Sequence, residues 1–185
     1  MKLLRESLKN APVVMKGNYP YFIHPLTDGI PQIDPAVLKD AVNEIIKRVD
    51  IDSFDKILTV EAMGLPIGVA LSMELTKPMT VVRKRKYGLP GEVEVSQRTG
   101  YSSGKLYINS ITPDDSLLLV DDVLSTGGTM IAVVEGIKKI GAEISDIVVV
   151  VNKNKNLKEI EEKIGHKIKP IINIEIVDGK VHILD

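Results

Sequence analysis

Two adjacent acids, Asp121 and Asp122, stand at the end of the apolar run Leu117 to Val120 and just before Ser125-Thr126-Gly127-Gly128-Thr129. A buried strand that ends in carboxylates and turns through small, hydroxylated residues into a helix is the arrangement by which open α/β sheets hold ligands. In the turn, glycines let backbone N–H groups come close to an anion, the hydroxyls add donors, and the following helix points its positive end at the same spot. That describes a phosphate cradle. The acids repel phosphate, so they face a hydroxylated or cationic part of the same ligand, sugar hydroxyls or Mg2+. The plainer alternative is a helix start capped by Ser125 or Thr126 with two ordinary acids at a strand end. The density of specialised residues favours the ligand site. A Walker-type loop is excluded because no Gly-Lys-Ser/Thr ending follows, and a dinucleotide fingerprint because no Gly-x-Gly-x-x-Gly is present.

Other groups gather round this centre. Glu61-Ala62-Met63-Gly64 follows the apolar run Lys56 to Val60, and its backbone N–H groups at a strand-to-helix turn can bind a second anion without a charged side chain. Arg83-Lys84-Arg85-Lys86 is the densest basic run; it is either a solvated face or, with Lys84 and Lys86 turned inward, a neutraliser of that anion. The three histidines, His24, His166 and His182, are scattered without metal-ligand spacing, so no zinc site is expected, and the six methionines read as core filler.

These groups need a scaffold, and the chain supplies the pattern of one. Its 185 residues, 44% apolar and 26% charged, suit a single domain over 1–185. Twenty-four Lys and Arg against 25 Asp and Glu leave a charge of −1, which disfavours a bulk-electrostatic partner such as nucleic acid or an anionic membrane. With no cysteine, disulfides, thiolate catalysis and Cys-ligated metals are excluded. No stretch approaches the roughly 18 apolar residues of a membrane span, and the expected location is the cytoplasm.

Strand-like runs at Lys56 to Val60, Met79 to Val82, Leu117 to Val120 and Ile147 to Val151 alternate with helical stretches ending near Leu75 and Ile140. This is a βαβ rhythm with strands apolar throughout. The fold class is therefore α/β, a central, mainly parallel sheet flanked by helices. A helix from Pro35 to Val49 starts at the N-cap Asp34, and a polar helix runs from Leu157 to Ile164. The tail, about 171–184, forms a hairpin through Asp178-Gly179. Two segments break the regularity. Residues about 10–34 hold Tyr19, Tyr21 and Phe22, with four prolines from Gly17 to Pro35 inclusive, and are expected to form an irregular hood. Residues about 84–104 are too long for an idle connection and are expected to form a mobile lid.

The run Val120 to Thr129, VDDVLSTGGT, closely resembles the phosphoribosyl-diphosphate motif of type I phosphoribosyltransferases, and the likeness extends more loosely over about 56–151. The resemblance implies that family's fold, with Asp121 and Asp122 as the catalytic acids at the ribose hydroxyls and Ser125, Thr126, Gly127, Gly128 and Thr129 around the 5′-phosphate. It further implies Glu61 to Gly64 as the diphosphate loop, often with a cis peptide, and Mg2+ bridging ribose and diphosphate. Tyr101, Ser102 and Ser103 fall where the family closes a mobile loop over the reacting centre, which excludes water. Related adenine enzymes commonly carry arginine in place of Met63, and six-oxopurine enzymes of another subgroup carry an acid in place of Ser125. The acid that adenine-type enzymes often carry near the end of the mobile loop also has no equivalent here, so, with Ser125 in place of an acid, no general acid or base is named. Met63 implies only a diphosphate loop that relies on backbone more than on charge. The short frame and the C-terminal hairpin most resemble archaeal-type purine salvage enzymes acting on hypoxanthine and guanine with phosphoribosyl diphosphate. Adenine as the base and a non-catalytic purine-responsive regulator are the alternatives. The resemblance also implies a homodimer.

Overall fold

The computed structural model describes residues 1–17, 19–98 and 103–184. Its core is a six-stranded sheet in the order β10-β9-β8-β7-β3-β4. The strands are β3 (Lys56–Val60), β4 (Met79–Val82), β7 (Ser116–Leu124), β8 (Glu143–Asn152), β9 (Lys169–Val177) and β10 (Lys180–Leu184). All neighbours are parallel except β10, which returns antiparallel along β9. The apolar runs make this possible: Leu117 to Val120 and Ile147 to Val151 are buried, as strands covered on both faces must be.

One face is covered by α1 (Lys2–Lys9), α3 (Pro35–Ile46) and α4 (Gly64–Leu75), whose Leu8, Ile45 and Ile67 join a single apolar cluster. The other is covered by α5 (Gly128–Ile140) and α6 (Leu157–Ile164), through Val133, Ile137 and Ile160. From β3 the chain crosses through α4 to one side, and from β7 it crosses through α5 to the other, so right-handed crossovers place α4 and α5 on opposite faces. The crevice this opens beyond the carboxyl ends of β3 and β7 is the switch point where such sheets bind ligands.

The expected irregular segments carry more order than composition suggests. The hood contains an antiparallel ribbon, β1 (Val13–Lys16) with β2 (Tyr19–Phe22), and a single helical turn, α2 (Pro25–Asp28), capped by the His24 ring, which accepts from the Leu26 N–H. In the expected lid, residues 93–98 are strand β5 (Val93–Arg98), which pairs antiparallel with β6 (Ser103–Ile108). Val95 and Ile108 of this ribbon are buried against α5, where a Cβ on Gly136 would lie 2.4 Å from Ile108 Cδ1. Tyr101 and Ser102 lie outside the described residues, and Ser103 opens β6. Strand β7 also outruns the apolar residues that announce it. Asp121 and Val123 stay in register with Val149 and Val151, because ladder hydrogen bonds belong to the backbone whatever the side chain. The tail turn matches expectation, with Asp178 at φ 50° and Gly179 at φ 70°. Both are left-handed, as a two-residue hairpin requires.

Candidate active site

The expected phosphate loop, Ser125 to Thr129, joins β7 to α5. Its shape depends on Gly127, which sits at φ 81° with Ile160 Cδ1 only 2.4 Å from where a Cβ would be, a conformation open to glycine and few other residues. Gly127 is also the N-cap of α5, and no side chain caps this helix. Ser125 and Thr126 are of the residue types that cap best, yet neither does so, and the first-turn N–H groups remain for an anion. Neighbours hold the loop: the Tyr19 and Ser125 hydroxyls are 3.3 Å apart, the Asn154 side-chain amide donates to the Ser125 carbonyl, and the Gln97 amide donates to the Thr129 hydroxyl.

Asp121 and Asp122 are 7% and 8% exposed. Burial pushes both carboxyls above the usual carboxylate range, and the Asp121 charge raises Asp122 further. Asp121 Oδ1 accepts the Asp122 N–H at 3.0 Å and lies against Gly64, 3.2 Å from where its Cβ would stand. The positive charge of Lys84 acts on Asp121, whereas Asp28 of the hood adds negative charge beside Asp122. Asp28 is itself gripped by the Tyr21 hydroxyl at 2.6 Å, the Thr27 hydroxyl at 2.7 Å and the His24 N–H at 3.0 Å. Burial, then this contact, pushes the Tyr21 phenol up. The hood thus covers a pair of acids with more negative charge than the protein balances, which suits a ligand bringing hydroxyls or a cation.

The second loop has the expected cis peptide, at Glu61-Ala62. Helix α4, like α5, begins without a side-chain cap. Gly64 is obligatory for packing, since a Cβ would fall 2.1 Å from Thr59 Oγ1. The Glu61 carboxylate does not face the crevice as a free group: it accepts the Lys84 N–H and pairs with Arg83 Nε at 3.1 Å, anchoring the basic run to the loop. Of the two lysines expected to face an anion, Lys84 acts by its charge on Asp121, while the charge of Lys86 acts on Glu92 and Glu94 beside the ribbon. Met63 Sδ lies 3.4 Å from where a Cβ on Gly29 of the hood would stand, and Ala62 is exposed.

A cavity of about 550 Å3 brings the parts together, of a size for one small organic ligand. Its wall takes in Asp121, the phosphate loop at Ser125, Thr126, Gly127 and Thr129, and the hood aromatics Tyr19, Tyr21 and Phe22. Asp122, Glu61 to Gly64 and Lys84 are not part of the wall, although Gly64 abuts it through Asp121. Sequence reasoning missed Lys16, Thr27, Met130 and Lys153, which also line it. The Lys153 ammonium stands 4.3 Å from the Tyr19 ring centre and 5.7 Å from that of Phe22. The Lys16 ammonium stands 3.4 Å from the ring centre of Tyr21. At these separations a cation is held by the ring face. Lys153 had a signal: it is the first residue past the carboxyl end of β8, beside the acid-bearing strand. Among the described residues, no group of three or more His, Cys, Asp or Glu could hold a metal by itself. A divalent cation here would take most of its oxygens from a ligand, with Asp121 and Asp122 as the nearest protein charges.

The family model for the phosphoribosyl transferase domain matches residues 33–180. The chain is 83% identical over 185 residues to the hypoxanthine/guanine phosphoribosyltransferase of Aciduliprofundum boonei, covering 100% of both. It is 51% identical over 178 residues to that of Methanocaldococcus infernus, covering 96% of this chain and 97% of the relative. Among solved structures it resembles the adenine phosphoribosyltransferase of Thermoanaerobacter pseudethanolicus, with a TM-score of 0.76 at 21% identity over 92% of this chain and 99% of that one. The APRTase of Giardia lamblia complexed with 9-deazaadenine gives a TM-score of 0.79 at 19% identity, covering 94% of this chain and 98% of that one. At such identities the structural likeness speaks for the fold alone.

Proposed function

The chain belongs to the phosphoribosyl transferase domain family, and from that premise we propose that it makes IMP and GMP from hypoxanthine or guanine and phosphoribosyl diphosphate, releasing diphosphate. The observation that carries the reading is the meeting at one cavity of Asp121, which has Asp122 beside it, with an uncapped helix start at Ser125 to Thr129. Ser125 to Thr129 hold the 5′-phosphate, and Asp121 and Asp122 accept from the ribose hydroxyls. The loop at Glu61 to Gly64, with Lys84, holds the diphosphate.

The C1′–O bond to diphosphate breaks as the bond from C1′ to the purine nitrogen forms, the electron pair leaves on diphosphate, and the base releases its N–H proton to solvent. Positive charge builds on the ribose ring at the midpoint, so holding both partners in line and stabilising the leaving group supply most of the acceleration. Mg2+ fits the acid pair, whose excess negative charge invites a cation, and when bound it supplies charge neutralisation of the diphosphate.

Choice of base falls to the hood end of the cavity. Tyr19 and Phe22 offer ring faces, and Lys153 beside them is a donor with no acceptor capacity. That suits the 6-oxo group of hypoxanthine and guanine and opposes the 6-amino group of adenine. A panel of adenine, hypoxanthine, guanine, xanthine and orotate with donor and Mg2+, read by diphosphate release, tests the assignment. Hypoxanthine and guanine are expected to turn over, and Lys153→Met to cut their kcat/KM by about 10–100-fold. Turnover with adenine alone would reassign the base, and none with any purine would remove the catalytic reading.

A further inference from the structure

The proposed chemistry uses the Thr129 hydroxyl but gives no role to the group that meets it. Gln97 lies on β5, 32 residues away in sequence and outside the cavity wall, and its side-chain Nε2 donates to Thr129 Oγ1. A hydroxyl has one proton and two lone pairs, and its proton normally swings to the nearest acceptor. With an amide N–H on one lone pair, the proton cannot turn toward Gln97 and is left for an acceptor in the cavity. The contact therefore presets Thr129 as a donor to an anion, which needs no reorganisation when the anion arrives.

The amide is delivered from a firm base. Val95, two residues earlier on β5, is 2% exposed, and it packs with Ile108 over Gly136 of α5, where a Cβ would meet them at 2.9 and 2.4 Å. The same helix carries Thr129 in its first turn. Ribbon, helix and phosphate loop are thereby referenced to one another, and a side chain on the ribbon sets a hydrogen atom in the loop.

We infer that Gln97 is a positioning residue for the 5′-phosphate of the donor, acting through the Thr129 hydroxyl. The inference rests on the phosphoribosyl-transfer reading above. Gln97→Met keeps the length of the side chain and removes the donor; Gln97→Glu keeps the size and, as a carboxylate, accepts only, drawing the Thr129 proton away from the phosphate. Both are compared with wild type, alone and on a Thr129→Val background, by KM and kcat for phosphoribosyl diphosphate, calorimetric affinity for ribose 5-phosphate, and thermal melting.

Loss of one hydrogen bond to a charged group predicts a donor KM raised about tenfold in Gln97→Met with kcat within about twofold, and a larger rise in Gln97→Glu. On the Thr129→Val background Gln97→Met should add less than about a twofold change. An unchanged donor KM overturns the inference, as does an effect that persists in full without the Thr129 hydroxyl. A melting temperature that falls while ribose 5-phosphate affinity holds also overturns it, since that is what a merely structural contact gives. Should wild type turn over no base, the proposed reaction fails, but ribose 5-phosphate affinity still reads the Gln97 effect by itself.

Discussion

Helices α3 and α5 begin in opposite ways. At α3, Asp34 accepts the Ala36 N–H at 2.7 Å and Pro35 occupies the first position, removing a donor that would lack a partner. At α5 the residues before the helix are Ser125 and Thr126, equally able to cap, but the N-cap is Gly127 at φ 81° and no side chain satisfies the first turn. The first start is satisfied within the protein, and the second leaves its first-turn N–H groups without a side-chain partner. The acids divide likewise. Asp34 is exposed and supports its own helix, whereas Asp121 and Asp122 are buried beside each other, where burial raises both carboxyls and the charges of Asp121 and Asp28 raise Asp122 further. Stability is given up where binding is needed, a common trade at working sites.

The comparison breaks most visibly at the acid pair. Asp122→Asn keeps the shape and removes a buried negative charge, so kcat/KM should fall about 10²–10³-fold, as for loss of a preorganised electrostatic contact. Stability should move the other way. The Asp122 carboxyl binds its proton more tightly in the fold than in the unfolded chain, so its contribution is complete below about pH 4 and is lost as pH rises through the raised value. The variant should therefore melt with wild type near pH 4 and above it at about pH 8. Unchanged kinetics would take Asp122 out of the site, and a variant less stable than wild type at the higher pH would show that the charge is well balanced in the protein.

Gly127→Ala comes next. A Cβ there meets Ile160 Cδ1 at 2.4 Å. It also requires a left-handed residue other than glycine, a cost of about 1–3 kcal/mol. Because the strain falls on the N-cap of α5, donor KM should rise about tenfold along with the loss of stability. A destabilised variant with wild-type donor KM would mean that the loop is shaped for packing alone.

How much of this could be read from sequence depended on how local the information was. Strands β3 and β4 run over the residues expected, Lys56 to Val60 and Met79 to Val82, because a buried parallel strand is an unbroken apolar run between turn residues. The start of α3 was legible in Asp34-Pro35, and the turn from β7 into α5 in the five residues Ser125 to Thr129. The continuation of β7 through Asp121 to Leu124 was hidden, because charge ends a hydropathy run while pairing with β8 sustains the strand. In the hood, prolines and glycines masked the ribbon of Val13–Lys16 with Tyr19–Phe22. His24 carries its own hydrogen bonds in the hood, its ring accepting the Leu26 N–H and meeting the Ser7 hydroxyl at 2.8 Å. Lys16, Thr27 and Gln97 carry no local signal, because only tertiary pairing brings the hood and the β5–β6 ribbon to the loop after β7.

The smallest expected effect is the sharpest control. Asp34→Ala removes the cap of α3 and leaves the Ala36 N–H to water, which costs about 1 kcal/mol and lowers Tm by about 2–4 °C in a chain of this size. Burial of Val37, Ala41, Val42 and Ile45 still holds the helix in place, so the loss stays at the exposed first turn. Kinetic constants for base and donor should match wild type, because α3 contributes no residue to the cavity wall. Phosphoribosyl diphosphate should likewise raise the melting temperature of the variant and of wild type by equal amounts, since a ligand stabilises only through the state it binds. A smaller rise in the variant would mean that the start of α3 is coupled to the phosphate loop across the sheet, and that the division between a start made for stability and one made for binding does not hold in this fold.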